Sequence, residues 1–322
     1  EGKLMQYRRL GRSALKVSEL ALGTMNFGPR TPEADAFLML NHALASGLNF
    51  VDTADQYGGH LGVGATELLL GRWLAEDRSR REALVLATKV YEPMSDDVNH
   101  RGLSARHIVS ACEASLKRLG VETIDLYQMH HIDRSAPLDE IWQAMDRLIT
   151  QGKIIYVGSS NFPGWGIAQT NERRGFQQRL GLVSEQGLYN LFTRHAELEV
   201  IPACQGYGVG LLPWSPLAGG LLAGPSSTAG RRQQLQTTRG LHREQLAAFE
   251  AFAADLGLDP STVALSWLLH QPAVASVIIG PSSVAQLEQA LTARDLALDR
   301  AQLARLDEIF PPMGRAPEAY AW

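Results

Sequence analysis

The chain has 322 residues, 45% of them hydrophobic, with a formal net charge of −4. That length suits one large α/β barrel or two ordinary domains, and the mildly acidic balance excludes a basic footprint for nucleic acid or an anionic membrane. Two cysteines, Cys112 and Cys204, argue against a disulfide framework and for a reducing cytoplasm. No apolar run is long enough to span a bilayer, and Glu1-Gly2-Lys3-Leu4 has no signal-peptide core. These four residues before Met5 are read as an expression remnant, and residues 1–322 as a single domain.

In chain order, Gln6–Val17 predicts a short hairpin turning at Gly11-Arg12-Ser13. Strand-like runs then recur near Leu20–Thr24, Asn49–Thr53, Leu84–Lys89, Asp125–His130, Tyr156–Ser160, Leu182–Gln186, Gly210–Ser215 and Val277–Gly280. Their near-continuous apolar character is that of strands buried on both faces. Helices with recognisable ends lie between them. Ser104 precedes Ala105–Leu119 and Gly120 follows it; Pro137 and Asp139 lead into Ile141–Thr150; Asp259-Pro260 opens Ser261–His270. About eight such units predict a closed (β/α)8 TIM barrel, with the hairpin plugging its bottom. Neither Gly62-Val63-Gly64 nor Gly206-Tyr207-Gly208 completes the glycine fingerprint of a doubly wound dinucleotide fold. Two polar segments, Glu92–Gly102 and Gly224–Arg243, follow strands at the C-terminal face and are candidate covers for a ligand.

The strand ends carry the chemistry. Asp52 closes one buried strand and Lys89 the next. Neighbouring strands lie about 4.8 Å apart, so a salt bridge between them is easy. Tyr57 follows in the same loop as Asp52, and an adjacent ammonium favours its phenolate, bringing proton donation toward neutral pH. Side-chain alternation puts Gln128 and His130 inside the barrel and Tyr127 and Met129 against the helices, leaving His131 to begin the loop. Nothing supplies further ligands for a metal, and none is expected. Later strand ends bear amides and hydroxyls: Ser159, Ser160, Asn161, Ser184 and Gln186. Such groups offer the paired donors and acceptors that a carboxamide such as that of nicotinamide requires. Trp214 adds an aromatic face ahead of the small-residue turn Ser215-Pro216-Leu217-Ala218-Gly219-Gly220, where backbone N–H groups can approach phosphate.

Taken together, these segments resemble the aldo-keto reductases over nearly the whole chain. The resemblance runs through Leu10-Gly11-Arg12-Ser13, Leu22-Gly23-Thr24-Met25, Phe50–Gly58, Thr88-Lys89, Asp125–His130, Gly158–Asn161, Glu185-Gln186 and Trp214–Gly220. It implies a barrel that binds NADP(H) without a Rossmann fold and reduces aldehydes or ketones. By position, Tyr57 would be the general acid, Asp52 and Lys89 its tuning pair, and His130 the group that orients the carbonyl. Ser160, Asn161 and Gln186 would hold the carboxamide, Trp214 would stack on the nicotinamide, and Ser215–Gly220 would pass along the pyrophosphate. Gly23, Thr24, Met25, Ile279, Gly280, Pro281, Ser282 and Gln286 complete the implied cofactor contacts.

The sequence departs from the family pattern at Ser282, where many members carry Arg or Lys to grip the 2′-phosphate, and at Gln289-Ala290, where Glu-Asn is usual. The branch that includes potassium-channel β-subunits shares the serine and still takes NADP(H). The expected coenzyme is therefore NADP(H), with NAD(H) as the alternative, and Arg231 or Arg232 as compensating charges. The expected partner is a small carbonyl compound: an aldehyde, a ketone or a keto-sugar. The competing readings are a cofactor-binding sensor or accessory subunit with little turnover, and a metal-dependent hydrolase or lyase on the same barrel. Oligomeric state stays open. The loops Glu92–Gly102 and His131–Pro137, with Tyr320 and Trp322 in the tail, are expected to shape the substrate pocket.

Overall fold

Strand alternation divides the apolar residues into two layers. Ala21, Phe50, Val85, Ala87, Leu126, Val183, Leu212 and Ile278 form an inner cluster, while Leu20, Leu22, Val51, Leu86, Tyr127, Met129, Val157, Leu211 and Val277 pack outward against helices. A sheet buried on both faces in this way closes on itself. The computed structural model, which describes residues 4–224, 240 and 242–321, has that architecture.

A hairpin of β1 (Tyr7–Arg9) and β2 (Lys16–Ser18) precedes eight parallel strands. These are β3 (Leu20–Gly23), β4 (Phe50–Asp52), β5 (Val85–Val90), β6 (Ile124–Met129), β7 (Ile154–Ser160), β8 (Leu182–Leu188), β9 (Gly210–Trp214) and β10 (Val277–Ile279). Their order in the sheet is β10-β3-β4-β5-β6-β7-β8-β9. Leu211 closes the circuit, donating to Ala273 O and accepting from Ala275 N just ahead of β10, both at 2.9 Å. Each strand expected from sequence is present within two residues at its ends, and the fold is a (β/α)8 barrel.

The helix signals hold as well. Ser104 Oγ accepts from His107 N at the start of Ala105–Leu119, and Gly120 ends that helix in the left-handed region. Asp259 caps Pro260–Leu269, with proline in the first turn. The helix after Pro137 starts at Leu138, earlier than the apolar periodicity indicated, because Asp139 and Glu140 suit a first turn and do not precede one.

The hairpin seals the N-terminal end. Leu10 and Val17 join the inner cluster, and Arg12 N donates to Gly208 O at 2.6 Å. Gly11 has φ 56°, and a side chain there would drive into the carbonyls of Val183 and Gly208. Among the described residues no helix is long and apolar enough to cross a membrane. The segment 225–239, with Arg231 and Arg232, lies outside the described residues, as does Trp322. The helix Arg243–Asp255 begins where the second polar segment was expected to end.

Candidate active site

The register of the sheet brings the key side chains together. Asp52 pairs across to Ala87, two residues before Lys89, and Lys89 pairs with Gln128. Gln128 in turn faces Gly158, where a Cβ would collide with Ser184 Oγ and meet Gln128 Cγ at 3.2 Å. The absence of a side chain at Gly158 is what gives Gln128 room inside the barrel.

Lys89 is completely buried, and its ammonium has three acceptors: Asp52 Oδ2 at 2.6 Å, Thr53 O at 2.9 Å and Tyr57 Oη at 3.2 Å. The other Asp52 oxygen accepts from Gln128 Nε2 and Gln186 Nε2, each at 2.9 Å, and Gln186 Nε2 also lies 3.1 Å from Gln128 Oε1. The carboxylate is fully solvated by protein donors, the condition for a buried ion pair to persist. Because Lys89 donates to the phenol oxygen, the Tyr57 hydrogen is left for an acceptor outside this cluster.

Burial pushes the Tyr57 phenol above the usual tyrosine range; Lys89 pulls it down and Asp52 adds to the rise. The sequence expectation of a net acidified phenol is therefore corrected. The ammonium acts in the expected direction, but desolvation outweighs it. Burial opposes the charge on Lys89, but the attraction of Asp52 and Tyr57 and their hydrogen bonds together outweigh it, so the net direction is up and the ammonium stays protonated.

His130 follows β6, and its ring meets Tyr57 edge-on at 6.1 Å between centroids. Burial, then Lys89, then His131 push it down to about 2, so the imidazole is neutral. Its Nδ1 is buried without a hydrogen-bond partner among the described residues. His131 turns outward, as expected, and pairs with Glu92 at 3.1 Å.

Asn161, in the left-handed region at φ 57°, ties three strand ends together. Its Nδ2 donates to His130 O at 3.1 Å and lies 3.0 Å from Ser160 Oγ, while its Oδ1 accepts from Trp214 Nε1 at 3.1 Å. Ser160 Oγ donates to Gln186 O at 2.9 Å. After Trp214 the backbone is left-handed at Ser215, Ala218, Gly219 and Gly220, and Asn190 Nδ2 holds Ser215 O at 2.9 Å. Pro216 and Leu217 complete this turn, and the 3₁₀ stretch Ala218–Ala223 that follows is kinked at Gly219 and Gly220, whose backbone is not helical.

On the other side of the mouth, Thr24 Oγ1 donates to Asp52 O at 2.9 Å, and Met25 is exposed beside it. Asn26 Nδ2 donates to Gly280 O at 3.1 Å. Ser282 donates through both N and Oγ to Gln286 Oε1, at 2.8 and 2.9 Å, and Ser283 caps the helix Val284–Leu291. Ile279 and Pro281 are buried at this corner. Gln289 bonds Thr262, away from Ser282.

Three buried residues at this end of the barrel had been given no part in the site from sequence. Gln128 was placed inside but not linked to Asp52. Glu185 is buried on the outer face of β8, accepting from Ser159 Oγ and Phe162 N, and burial pushes it up to about 8. Strand alternation between Ser184 and Gln186 carried that signal. Asp55 is buried with neither carboxylate oxygen bonded to a side chain among the described residues, and burial, then Glu67, push it well up. The charged residues Asp97, His100 and Arg101 serve the loop's own shape: Asp97 accepts from Asn99 N, Ser95 Oγ meets His100 Nδ1, and Arg101 donates to Ser95 O. Tyr320 is exposed.

The family model described as "Aldo/keto reductase family" matches residues 19–310. The chain belongs to the aldo/keto reductase family. This aldo/keto reductase is 47% identical to the "uncharacterized oxidoreductase YrpG" of Bacillus subtilis (strain 168), over 99% of this chain and 100% of that one. It is 33% identical to a "probable voltage-gated potassium channel subunit beta" of Arabidopsis thaliana, over 98% and 100% respectively. The "versiconal hemiacetal acetate reductase" of Aspergillus parasiticus is 31% identical over 97% of this chain and 99% of its own. The aldo/keto reductase is thus an oxidoreductase of a family associated with carbonyl reduction.

Proposed function

We propose that this aldo/keto reductase, acting as one domain, reduces an aldehyde or ketone with NADP(H), Tyr57 delivering the proton. The observation that carries the reading is the buried Lys89 ammonium bonded at once to Asp52 and to the Tyr57 oxygen. A bound nicotinamide supplies the hydride. The residues present fit such a group: Trp214 offers a half-buried face, held by Asn161, beside a left-handed turn of small residues. Ser160, Asn161 and Gln186 would hold the carboxamide, with Ser215–Gly220 along the pyrophosphate and Ile279–Ser282 and Gln286 toward the adenosine. Gly23, Thr24 and Met25 would flank the nicotinamide. Gln186 already spends its amide nitrogen on Asp52, so its carbonyl end is the one left for ligand.

Tyr57 holds a proton whose loss Lys89 makes easier, and the charge developing on the substrate oxygen is met by a fixed donor. His130 is neutral; with Nδ1 buried and lacking an acceptor among the described residues, its hydrogen belongs on Nε2, where it can orient the carbonyl. Y57F removes the proton and keeps the ring. It is expected to abolish coenzyme oxidation with carbonyl substrates while leaving NADPH binding intact by fluorescence titration; unchanged turnover would refute the assignment.

The likeness to a potassium-channel β-subunit supports a second reading, a coenzyme-binding accessory protein with little turnover. A panel of aldehydes, α-dicarbonyls and keto-sugars assayed with NADPH and NADH separates the two. Ser282 brings no charge to the adenosine end, and its N and Oγ both donate to Gln286, so measurable use of NADH is expected to accompany the preference for NADPH.

A further inference from the structure

The loop after β5 and the loop after β6 are stitched together at the barrel mouth. His131 Nε2 lies 3.1 Å from Glu92 Oε1, and Leu103 N donates to Asp133 Oδ2 at 2.9 Å. The Tyr91 ring meets His131 at 5.3 Å between centroids and 66° between planes. His131 is therefore held from two sides. Its free face stacks on His130, with centroids 5.0 Å apart and planes only 11° apart.

His130 has few other restraints. A functional imidazole is ordinarily fixed by a hydrogen bond at the nitrogen turned away from its substrate. Here Nδ1 has no such partner among the described residues, and Tyr57 approaches only edge-on. The backbone carbonyl of His130 is anchored by Asn161, but that bond does not set the ring's rotation.

We propose that His131, clamped by Glu92, is a positioning residue that fixes the plane of the His130 ring by stacking, and so aims its Nε2 at the carbonyl oxygen. The inference rests on the carbonyl-reductase reading and adds a second histidine to it, acting through the first. Orientation matters because small misplacements of a reacting group cost turnover steeply.

The test compares three full-length variants. H131A removes the stack, and kcat is expected to fall on the order of 10- to 100-fold, with NADPH affinity unchanged. H131F keeps a flat ring without the Glu92 pair and is expected to recover most of that loss. Selective ¹⁵N-histidine NMR reports the ring directly: His130 gives one neutral tautomer in the wild type and an averaged signal in H131A. Unchanged turnover in H131A, equal impairment of H131F, or an unaltered His130 signal overturns the inference. If H131A does not fold, E92A replaces it, with the same loss expected in milder form and recovered by E92Q; no loss in E92A is equally fatal. A wild-type protein inactive on every carbonyl would refute the reductase reading, and the NMR comparison would still decide the role of His131.

Discussion

Lys89 sits where three acceptors leave no ammonium hydrogen to spare, and its removal tests that bookkeeping. K89M keeps the length of the side chain and deletes the charge. Asp52 would then be a buried carboxylate held only by two amides. Breaking one side of a buried ion pair costs about 3–5 kcal/mol. Tyr57 would lose the one group that draws its phenol down. K89M is therefore expected to unfold at lower urea concentration and to lose on the order of 10²–10⁴ in turnover. A variant as stable as the parent would mean that Asp52 is solvated by water and not by protein. The pairing itself was legible in the sequence, because two ionisable residues ending adjacent strands must lie within reach. The net pKa direction of Tyr57 was not: the sign depends on how completely the phenol is desolvated, which only the packed loop determines.

Between neighbouring elements, the site depends on how the turn after β7 is held. Glu185 points out of the barrel beneath that turn, accepting from Ser159 Oγ and Phe162 N, while Asn161 above it reaches His130 and Trp214. Burial raises its folded-state pKa to about 8, above the 4.5 of a free glutamate side chain. The folded protein thus binds more protons than the unfolded chain between those values. The stability contributed is full below about pH 4.5 and is lost as pH rises toward 8. E185Q mimics the protonated form: its carbonyl can accept from Phe162 N and its amide can donate to Ser159. The melting temperature of the wild type is expected to drop relative to E185Q across that window, and parallel melting curves would rule the titration out. Alternation at the end of β8 could have revealed Glu185, since Ser184 and Gln186 flank it on the inner face beyond the irregularity that also turns Val183 inward. The Trp214–Asn161 bond could not have been found that way, because it requires a left-handed asparagine joining residues 53 positions apart.

Across the whole molecule, the barrel separates stability from chemistry along its axis. Strand count, helix caps and the hairpin were readable because each rests on local periodicity or turn chemistry. Closure between β9 and β10 was not, since it runs through Leu211 and residues ahead of the last strand. The hairpin end gives a direct test of the separation. Leu10 is fully buried in the inner cluster with Val17, Phe50 and Val183, at the end of the barrel opposite Tyr57 and Lys89. L10A removes apolar contact at a site that Gly11 packs tightly against the carbonyls of Val183 and Gly208, leaving little freedom to collapse. The expected cost is about 2–5 kcal/mol, read from urea unfolding. Because Asp52 and Lys89 are held by strand register, and Tyr57 by its bond to Lys89, and none of them by the plug, kcat for a carbonyl substrate is expected to match the parent at a temperature where both are folded. A matching fall in kcat would mean that packing at the bottom of the barrel is transmitted through the strands to the ammonium at the top.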